Sequence, residues 1–102
     1  MPVEIFIEST DIKMQARILS TIEVLREKGN LLRLPYSKYL DDGIFELRIM
    51  VGNNISRILY FFYLDRKIIL TNGFVKKTQK TPRKEIMMAK KLISDYMKRK
   101  SN

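Results

Sequence analysis

Residues 44–75 read IFELRIMVGNNISRILYFFYLDRKIILTNGFV, in which three apolar segments are separated by short polar breaks. The apolar segments are rich in Ile, Phe, Tyr and Val, which are common in strands. Gly, Asn and Asp residues in the breaks are typical of hairpin turns. We therefore predict three consecutive antiparallel strands at about residues 44–51, 57–64 and 67–75.

A helix is predicted on the N-terminal side of these strands, at about residues 11–29. Thr10 or Asp11 can act as its N-cap, and Gly29 is a suitable residue to end it. Apolar residues recur within it at intervals of three and four, as on one face of a helix. They are Ile12, Ala16, Leu19, Ile22 and Leu25.

A second helix is predicted on the C-terminal side, at about residues 82–98. Thr81 followed by Pro82 suits an N-cap and a first helical residue. The apolar face of this helix consists of Ile86, Ala89, Ile93 and Tyr96. Tyr96 is therefore interpreted as a core residue in preference to a catalytic one.

Two further segments complete the architecture. Residues 3–8 carry Val3, Ile5 and Ile7 at alternate positions, which predicts a short opening strand. Residues 31–42 contain Pro35 and precede Gly43, and they are interpreted as a connector. The predicted fold is a single α+β domain over residues 1–102, a small antiparallel sheet with an N-terminal and a C-terminal helix packed on it.

The charge of the chain indicates a polyanionic partner. The 20 Lys and Arg residues outnumber the 11 Asp and Glu residues, which gives a net charge of +9 and a pI near 9.9. Residues 1–46 hold six basic and eight acidic residues, whereas the rest of the chain holds fourteen and three. The anion-binding surface is therefore expected in the C-terminal half.

Composition also excludes several kinds of site. The chain has no Cys and no His, so disulfides, thiolate chemistry and imidazole ligands or bases are excluded. No spacing of Asp and Glu predicts a metal site near the basic residues, and no cofactor is expected. Glu4 and Glu8 interrupt the apolar run at the N-terminus, and no segment approaches the roughly 18 apolar residues of a membrane span. A cytoplasmic location without membrane association is expected.

The alternation of strand residues brings the basic side chains together. A two-residue turn at Asn53-Asn54 would place Met50 opposite Arg57, so that Arg48 and Arg57 are diagonal neighbours on one face. A second turn at Asp65-Arg66 extends this face across the third strand. The face would contain Arg48, Arg57, Asn72, Phe74 and Lys76, with Lys77, Lys80 and Arg83 in the adjoining segment.

The two faces of the predicted sheet differ in what covers them. The face that carries the basic residues, called the basic face from here on, also carries apolar residues, so the C-terminal helix is expected to cover part of it. These apolar residues are Ile44, Phe61, Tyr63, Ile68 and Leu70. The opposite face is largely apolar and is expected to pack on the helices. It consists of Phe45, Leu47, Ile49, Tyr60 and Phe62.

Such a cationic face suits RNA. Guanidinium groups pair with phosphate oxygens and stack on bases, and aromatic rings stack on unpaired bases.

Three segments resemble the RelE/HigB-like toxin superfamily, and in particular its phage-derived, HigB-like branch. They are DGIFELR at residues 42–48, RILYFF at 57–62 and GFVKKTQKTP at 73–82. They match in order and spacing, and the resemblance covers roughly residues 40–90. The most specific part is the last segment together with the two upstream arginines.

The resemblance implies a type II toxin that enters the ribosomal A site and cleaves translated mRNA without a metal. It also implies a cognate antitoxin, commonly a helix-turn-helix DNA-binding protein. Operator DNA would be bound only through the toxin–antitoxin complex.

The resemblance also implies roles for individual residues. Arg48 and Arg57 would stabilise the charge that develops at phosphorus when a ribose 2′-OH attacks. Lys76 or Lys77, surrounded by cations that lower a lysine pKa, would move protons. Glu46 lies on the Arg48 side of its strand, either as a base or as an ion-pair partner. Further RNA contacts are expected from Lys80, Arg83, Phe74 and Asn72.

Two other classes of function stay open. The chain could be a non-catalytic basic module that binds RNA or the ribosome, for instance a degenerate toxin, since it lacks His. It could also be a transcriptional corepressor subunit. However, its two main helices are separated by three predicted strands and form no helix-turn-helix pattern.

Overall fold

The computed structural model describes residues 2–64, 67–77 and 80–101 and confirms the α+β class. A four-stranded antiparallel sheet has the order β1-β2-β3-β4. The elements are α1 (Pro2–Ser9), α2 (Ile12–Lys28), β1 (Ser37–Asp41), β2 (Ile44–Val51), β3 (Asn54–Tyr63), β4 (Lys67–Val75) and α3 (Arg83–Ser101). A 3₁₀ turn at Gly29–Leu31 follows α2. No described helix is both long enough and apolar enough to cross a bilayer.

The predicted opening strand at residues 3–8 is wrong, because this segment forms helix α1. Val3, Phe6 and Ile7 are spaced by three and four residues, and all three pack in the core. Ile5, which the strand pattern required to face inward, is 68% exposed. A short apolar run fits both periods, and here the helical one is realised.

Helix α2 forms at the predicted position, but its buried face is rotated, so that only Leu25 and Ile22 of the predicted stripe pack in the core. Asp11 is its N-cap and accepts a hydrogen bond from the Met14 amide at 2.8 Å, and Gly29 ends it with φ of +55°. Ile12 and Leu19, both predicted to be inside, are 81% and 57% exposed. The buried stripe has the same spacing of three and four residues and consists of Met14, Ile18, Thr21 and Leu25.

Part of the predicted connector at residues 31–42 is in fact strand β1. It pairs with β2 so that Ser37 faces Leu47 and Lys38 faces Glu46. The Ser37 side chain reaches the apolar side of the sheet, where its hydroxyl hydrogen-bonds the buried Tyr60 hydroxyl. The added strand gives the basic face one more row of side chains.

The β2–β3 register differs from the predicted one by two residues. Arg48 pairs directly with Arg57, and Met50 pairs with Ile55. The turn lies at Gly52-Asn53, where Gly52 has φ of +59°, a conformation that glycine adopts without strain. Because side chains alternate with a period of two, this slip keeps both arginines on one face.

The β3–β4 register is as predicted at one end only. Arg57 pairs with Phe74, but the register shifts between Ile58 and Tyr60, so that Tyr60 pairs with Leu70. This irregularity moves Ile68 and Leu70 off the basic face, where they were predicted, and both pack in the core on the other side. The predicted turn at Asp65-Arg66 lies outside the described residues.

The sheet has an apolar cluster on each face. Helices α1 and α2 cover the predicted apolar face, where Leu47, Ile49 and Tyr60 are almost fully buried. Helix α3 covers the apolar part of the basic face through its predicted stripe, with Ala89 at the centre. Tyr96 packs edge-on against Phe61 at a ring distance of 5.9 Å. The basic end of this face is left beside the start of α3.

Candidate active site and nucleic-acid interface

A buried carboxylate lies at the centre of the basic residues. Glu46 is 1% exposed, and its Oε1 atom is 3.3 Å from Nε of Arg48 and 3.3 Å from Nε of Arg57. Its Oε2 atom accepts a hydrogen bond from the Thr81 hydroxyl. We call these four residues the Glu46 cluster. Both carboxylate oxygens are engaged, which favours the ion-pair interpretation of Glu46 over the general-base interpretation.

The Thr81 contact corrects one prediction about α3. Thr81 was expected to cap the helix, but its hydroxyl donates to Glu46 instead. The helix begins at Arg83, and the Pro82 carbonyl accepts hydrogen bonds from the amides of Glu85 and Ile86. The segment before α3 is thereby fixed to the centre of the basic site.

Arg57 is the buried member of the arginine pair. It is 5% exposed, and its Nη1 donates to the Ser56 carbonyl at 3.2 Å. Its Nε is close to Glu46 but not aligned for a hydrogen bond. Burial lowers the pKa of Arg57, Glu46 opposes that shift, and Arg48 adds to it. A guanidinium nevertheless keeps its charge, so two cations share one carboxylate.

Lys76 is next to this pair. Its amide donates to the Ile55 carbonyl at 2.9 Å, which continues the β3–β4 alignment beyond Val75. Burial is the main cause that lowers the pKa of Lys76, followed by the positive charge of Arg57, with smaller contributions from Arg48 and Lys38. Glu46 acts in the opposite direction. Lys76 therefore loses its proton more readily than an ordinary lysine.

Two clefts meet at Arg48, whose side chain is 25% exposed. One cleft, of about 310 Å³, lies where β2 extends past the start of β1, and we call it the arginine cleft. Its lining residues are Arg17, Thr21, Pro35, Tyr36, Arg48, Ile49, Met50 and Arg57. The other, of about 250 Å³, includes Lys38, Glu46, Arg48, Lys80 and Thr81 in its lining.

The sequence of the chain matches the profile of the family described as Phage derived protein Gp49-like (DUF891) over residues 6–94. The chain belongs to this family. The Gp49-like proteins are a RelE-like toxin family, so the RelE-like part of the resemblance is confirmed. A comparison with curated proteins found no match.

The structure of this Gp49-like chain brings some of the predicted site residues together. Arg48, Arg57 and Lys76 lie on one face around Glu46. Lys77, Lys80 and Arg83 are exposed in the adjoining segment. Thr78 and Gln79, which belong to the segment that carries the resemblance, lie outside the described residues.

Phe74 and Asn72, predicted to contact RNA, have structural contacts. Phe74 is 7% exposed and packs with Leu59 and Ala89 under α3. Asn72 is 4% exposed, and its Nδ2 donates to both the carbonyl and the Oε1 atom of Glu85 at 3.1 Å. These contacts hold α3 on the sheet and leave little of either side chain accessible.

Three residues at the site were missed by the sequence analysis. Lys38 faces Glu46 across β1 and β2, and Tyr36 precedes β1 beside Arg48. The sequence SKYLD of β1 does not alternate polar and apolar residues and it follows Pro35 closely, so β1 left no clear strand signal. Arg17, on α2, reaches the arginine cleft, and only the tertiary packing of α2 brings it there.

No candidate metal site is found in the described part of the chain. Residues 2–64, 67–77 and 80–101 contain no group of three or more acidic side chains arranged to hold an ion.

Proposed function

We propose that this chain is the toxin of a type II toxin–antitoxin system and a ribosome-dependent, metal-independent endoribonuclease that cleaves translated mRNA in the A site. The observation that carries the proposal is the pair Arg48 and Arg57, held side by side by the buried Glu46 carboxylate next to Lys76. Membership of a RelE-like toxin family supports it.

The proposed reaction is attack of a ribose 2′-oxygen on the adjacent phosphorus. The P–O5′ bond breaks, which leaves a 2′,3′-cyclic phosphate on one fragment and a 5′-hydroxyl on the other. Negative charge increases on the phosphoryl oxygens in the transition state. Arg48 and Arg57 both line the arginine cleft; the partly exposed Arg48 would contact the phosphoryl oxygens, and the nearly buried Arg57 would add its positive charge at short range.

Lys76 and Lys77 are the proposed proton carriers. In its neutral form Lys76 would accept the 2′-hydroxyl proton, and the lowered pKa makes this form more accessible. Lys77, exposed and next to it, would donate a proton to the leaving 5′-oxygen. The Glu46 carboxylate acts by holding the arginines, because both of its oxygens are already engaged.

The partners follow from the same proposal. The substrate is mRNA on the ribosome, and the inhibitor is a cognate antitoxin, a helix-turn-helix DNA-binding protein of the kind found in the HigB-like branch. Operator DNA would be bound only through that complex. The chain would work in the cytoplasm as a single domain, without cofactor or membrane.

The test substitutes Arg48, because Glu46 and Arg57 still pair with each other when Arg48 is removed and no buried charge is left unpaired. Wild-type chain, Arg48→Met and Arg26→Met are induced in a bacterial host, and mRNA 5′ ends are mapped across the transcriptome. Arg26 is the control because it is exposed on α2 and pairs only loosely with Glu23, at 3.6 Å. We expect growth arrest and new 5′ ends at a fixed phase within codons, lost in Arg48→Met and kept in Arg26→Met.

Two outcomes would contradict the proposal. Growth arrest without new 5′ ends would indicate a non-catalytic module that blocks translation by occupancy. Soluble, folded wild-type chain that causes neither arrest nor cleavage would show that this chain is not an active toxin.

A further inference from the structure

Tyr36 presents a half-exposed aromatic ring beside the two arginines. Its carbonyl accepts a hydrogen bond from the Arg48 amide at 2.8 Å, which places the two residues opposite each other just before β1. Ser37, the next residue, points to the apolar face and bonds Tyr60. By alternation Tyr36 lies on the face of Arg48, and it is 52% exposed.

The arginine cleft combines two kinds of chemistry. Arg17 and Arg48 contribute two accessible basic side chains and Arg57 a nearly buried one, while Tyr36 and the 58% exposed Met50 provide apolar surface. The volume of about 310 Å³ is at the lower end of the roughly 300–1,000 Å³ that small-molecule sites occupy. A flat apolar surface next to cations suits a nucleotide, whose planar base and anionic phosphate are adjacent.

We propose that the arginine cleft is a base-binding subsite in which Tyr36 stacks on an unpaired base of single-stranded RNA. The phosphate attached to that nucleotide contacts Arg48, and Arg17 from α2 contacts a neighbouring phosphate. The inference rests on the proposed function in so far as RNA is the ligand. It adds a substrate contact that selects single-stranded over base-paired RNA, because a paired base cannot present its face to the ring.

Tyr39 provides a matched control within the same segment. It is 53% exposed, nearly the same as Tyr36. Its ring lies on the other face of the sheet, 5.1 Å from the Phe45 ring, and its hydroxyl accepts a hydrogen bond from the Gly43 amide. Tyr39→Leu therefore removes an equally exposed tyrosine ring and leaves the arginine cleft unchanged.

The experiment measures binding of a fluorescein-labelled RNA hexanucleotide by anisotropy at low ionic strength. The probes are the intact oligonucleotide and a set in which one abasic nucleotide is placed at each position in turn. Wild type, Tyr36→Phe, Tyr36→Leu and Tyr39→Leu are compared after circular dichroism has shown each to be folded. For wild type we expect one abasic position to weaken binding roughly tenfold, the loss of one stacked base.

Tyr36→Leu should bind the intact oligonucleotide as weakly as wild type binds that abasic probe, and it should no longer distinguish the two. Tyr36→Phe and Tyr39→Leu should behave as wild type. Equal affinity of wild type for all the probes overturns the subsite and needs no variant, so it holds even if Tyr36→Leu fails to fold. Unchanged discrimination in folded Tyr36→Leu also overturns it, while RNA binding itself stands. A wild-type chain that binds none of the probes overturns the subsite, whereas the ribosome-dependent cleavage is judged separately by the mapping of mRNA 5′ ends.

Discussion

Glu46 is the residue on which the arrangement of the two arginines depends. Its carboxylate is 1% exposed, so its burial is tolerated only because Arg48, Arg57 and Thr81 surround it. Arg57 in turn is 5% exposed and has no other carboxylate within ion-pair distance among the described residues. Without Glu46, Arg57 would therefore be a buried charge without compensation, whereas Glu46 would keep Arg48 if Arg57 were removed.

Glu46→Gln should therefore destabilise the fold strongly. The amide keeps the size of the side chain but leaves the Arg57 charge buried and unpaired, and removal of one partner of a buried pair costs about 3 kcal/mol. Urea unfolding followed by circular dichroism measures the change. Glu23→Gln is the control, because its 3.6 Å pair with Arg26 is exposed, and the change there should stay within about 0.5 kcal/mol. Equal stabilities of the two variants would contradict the assigned role of Glu46.

Lys76 should titrate below the ordinary lysine value of 10.5. Desolvation is the main cause, and the positive charge of Arg48 adds to it, so Arg48→Met should move the Lys76 pKa upward. The ¹³Cε shift of Lys76 as a function of pH measures both effects by NMR. Arg26→Met, which changes a distant arginine, should leave the titration where it is in wild type. A Lys76 midpoint at or above the ordinary value would remove the support for a proton-transfer role.

The same shift has a defined sign for stability. Between the lowered native pKa of Lys76 and 10.5, the unfolded chain binds more protons at this residue than the native chain does. The contribution of Lys76 to the free energy of unfolding therefore rises with pH across this window. Lys76→Met should remove that rise, which urea unfolding at a series of alkaline pH values detects.

Helix α1 is held on the sheet by the contact of Phe6 with Gly73. A Cβ atom at position 73 would lie 2.3 Å from Cδ2 of Phe6, so no other residue fits without movement of the ring. Gly73→Ala should destabilise the fold by about 1–3 kcal/mol through overpacking. In a Phe6→Ala background the same change should cost much less, because the clashing ring is absent. A double-mutant cycle of urea unfolding measures the difference, and additive effects would contradict it.

Helix α3 is attached to β4 through Asn72. Its side-chain amide donates to two acceptors of Glu85 in the first turn of the helix, and its oxygen accepts from the Thr71 hydroxyl. Asn72→Ala should cost about 1–3 kcal/mol and increase hydrogen exchange in the first turn of α3. If Asn72 acts in RNA binding instead, the variant would lose affinity for the oligonucleotide without faster exchange there.

At the level of elements, the sequence predicts the strands and helices with the strongest patterns. β2, β4, α2 and α3 lie close to their predicted bounds, because each has a long apolar repeat or a clear cap. α1 and β1 were missed. The first is a short apolar run that fits two periods, and the second is a five-residue strand next to a proline.

The site was predictable only as far as its side chains alternate along β2 and β3. The predicted β2–β3 register was wrong by two residues, but an even shift keeps Arg48 and Arg57 on the predicted face. Contacts that depend on tertiary packing could not be predicted from the sequence. The Thr81 hydroxyl reaching Glu46 and Arg17 reaching the arginine cleft both require the docked positions of distant elements.

Over the whole molecule, positive charge lies on α3, which holds seven basic and two acidic residues, and at one end of one sheet face with the segment that follows β4. Lys38, Arg48, Arg57 and Lys76 surround the single Glu46 carboxylate there, and Lys77 follows directly. The N-terminal half has more acidic than basic residues. RNA should bind to the sheet-face end, which carries the arginine cleft, and its affinity should fall steeply with salt as counterions are released.

Lys77→Gln and Lys28→Gln make the same change of charge at two places. Both lysines are exposed, but Lys28 lies at the C-terminal end of α2, about three turns from Arg17 and the arginine cleft. If RNA affinity followed net charge alone, the two variants would lose affinity equally. If it depends on the sheet-face end, Lys77→Gln should weaken binding and reduce the slope of log K against log[salt] by about 0.7, the value for one phosphate contact with a single strand. Anisotropy titrations at several salt concentrations measure both quantities. An unchanged slope for Lys77→Gln would place the RNA elsewhere on the molecule.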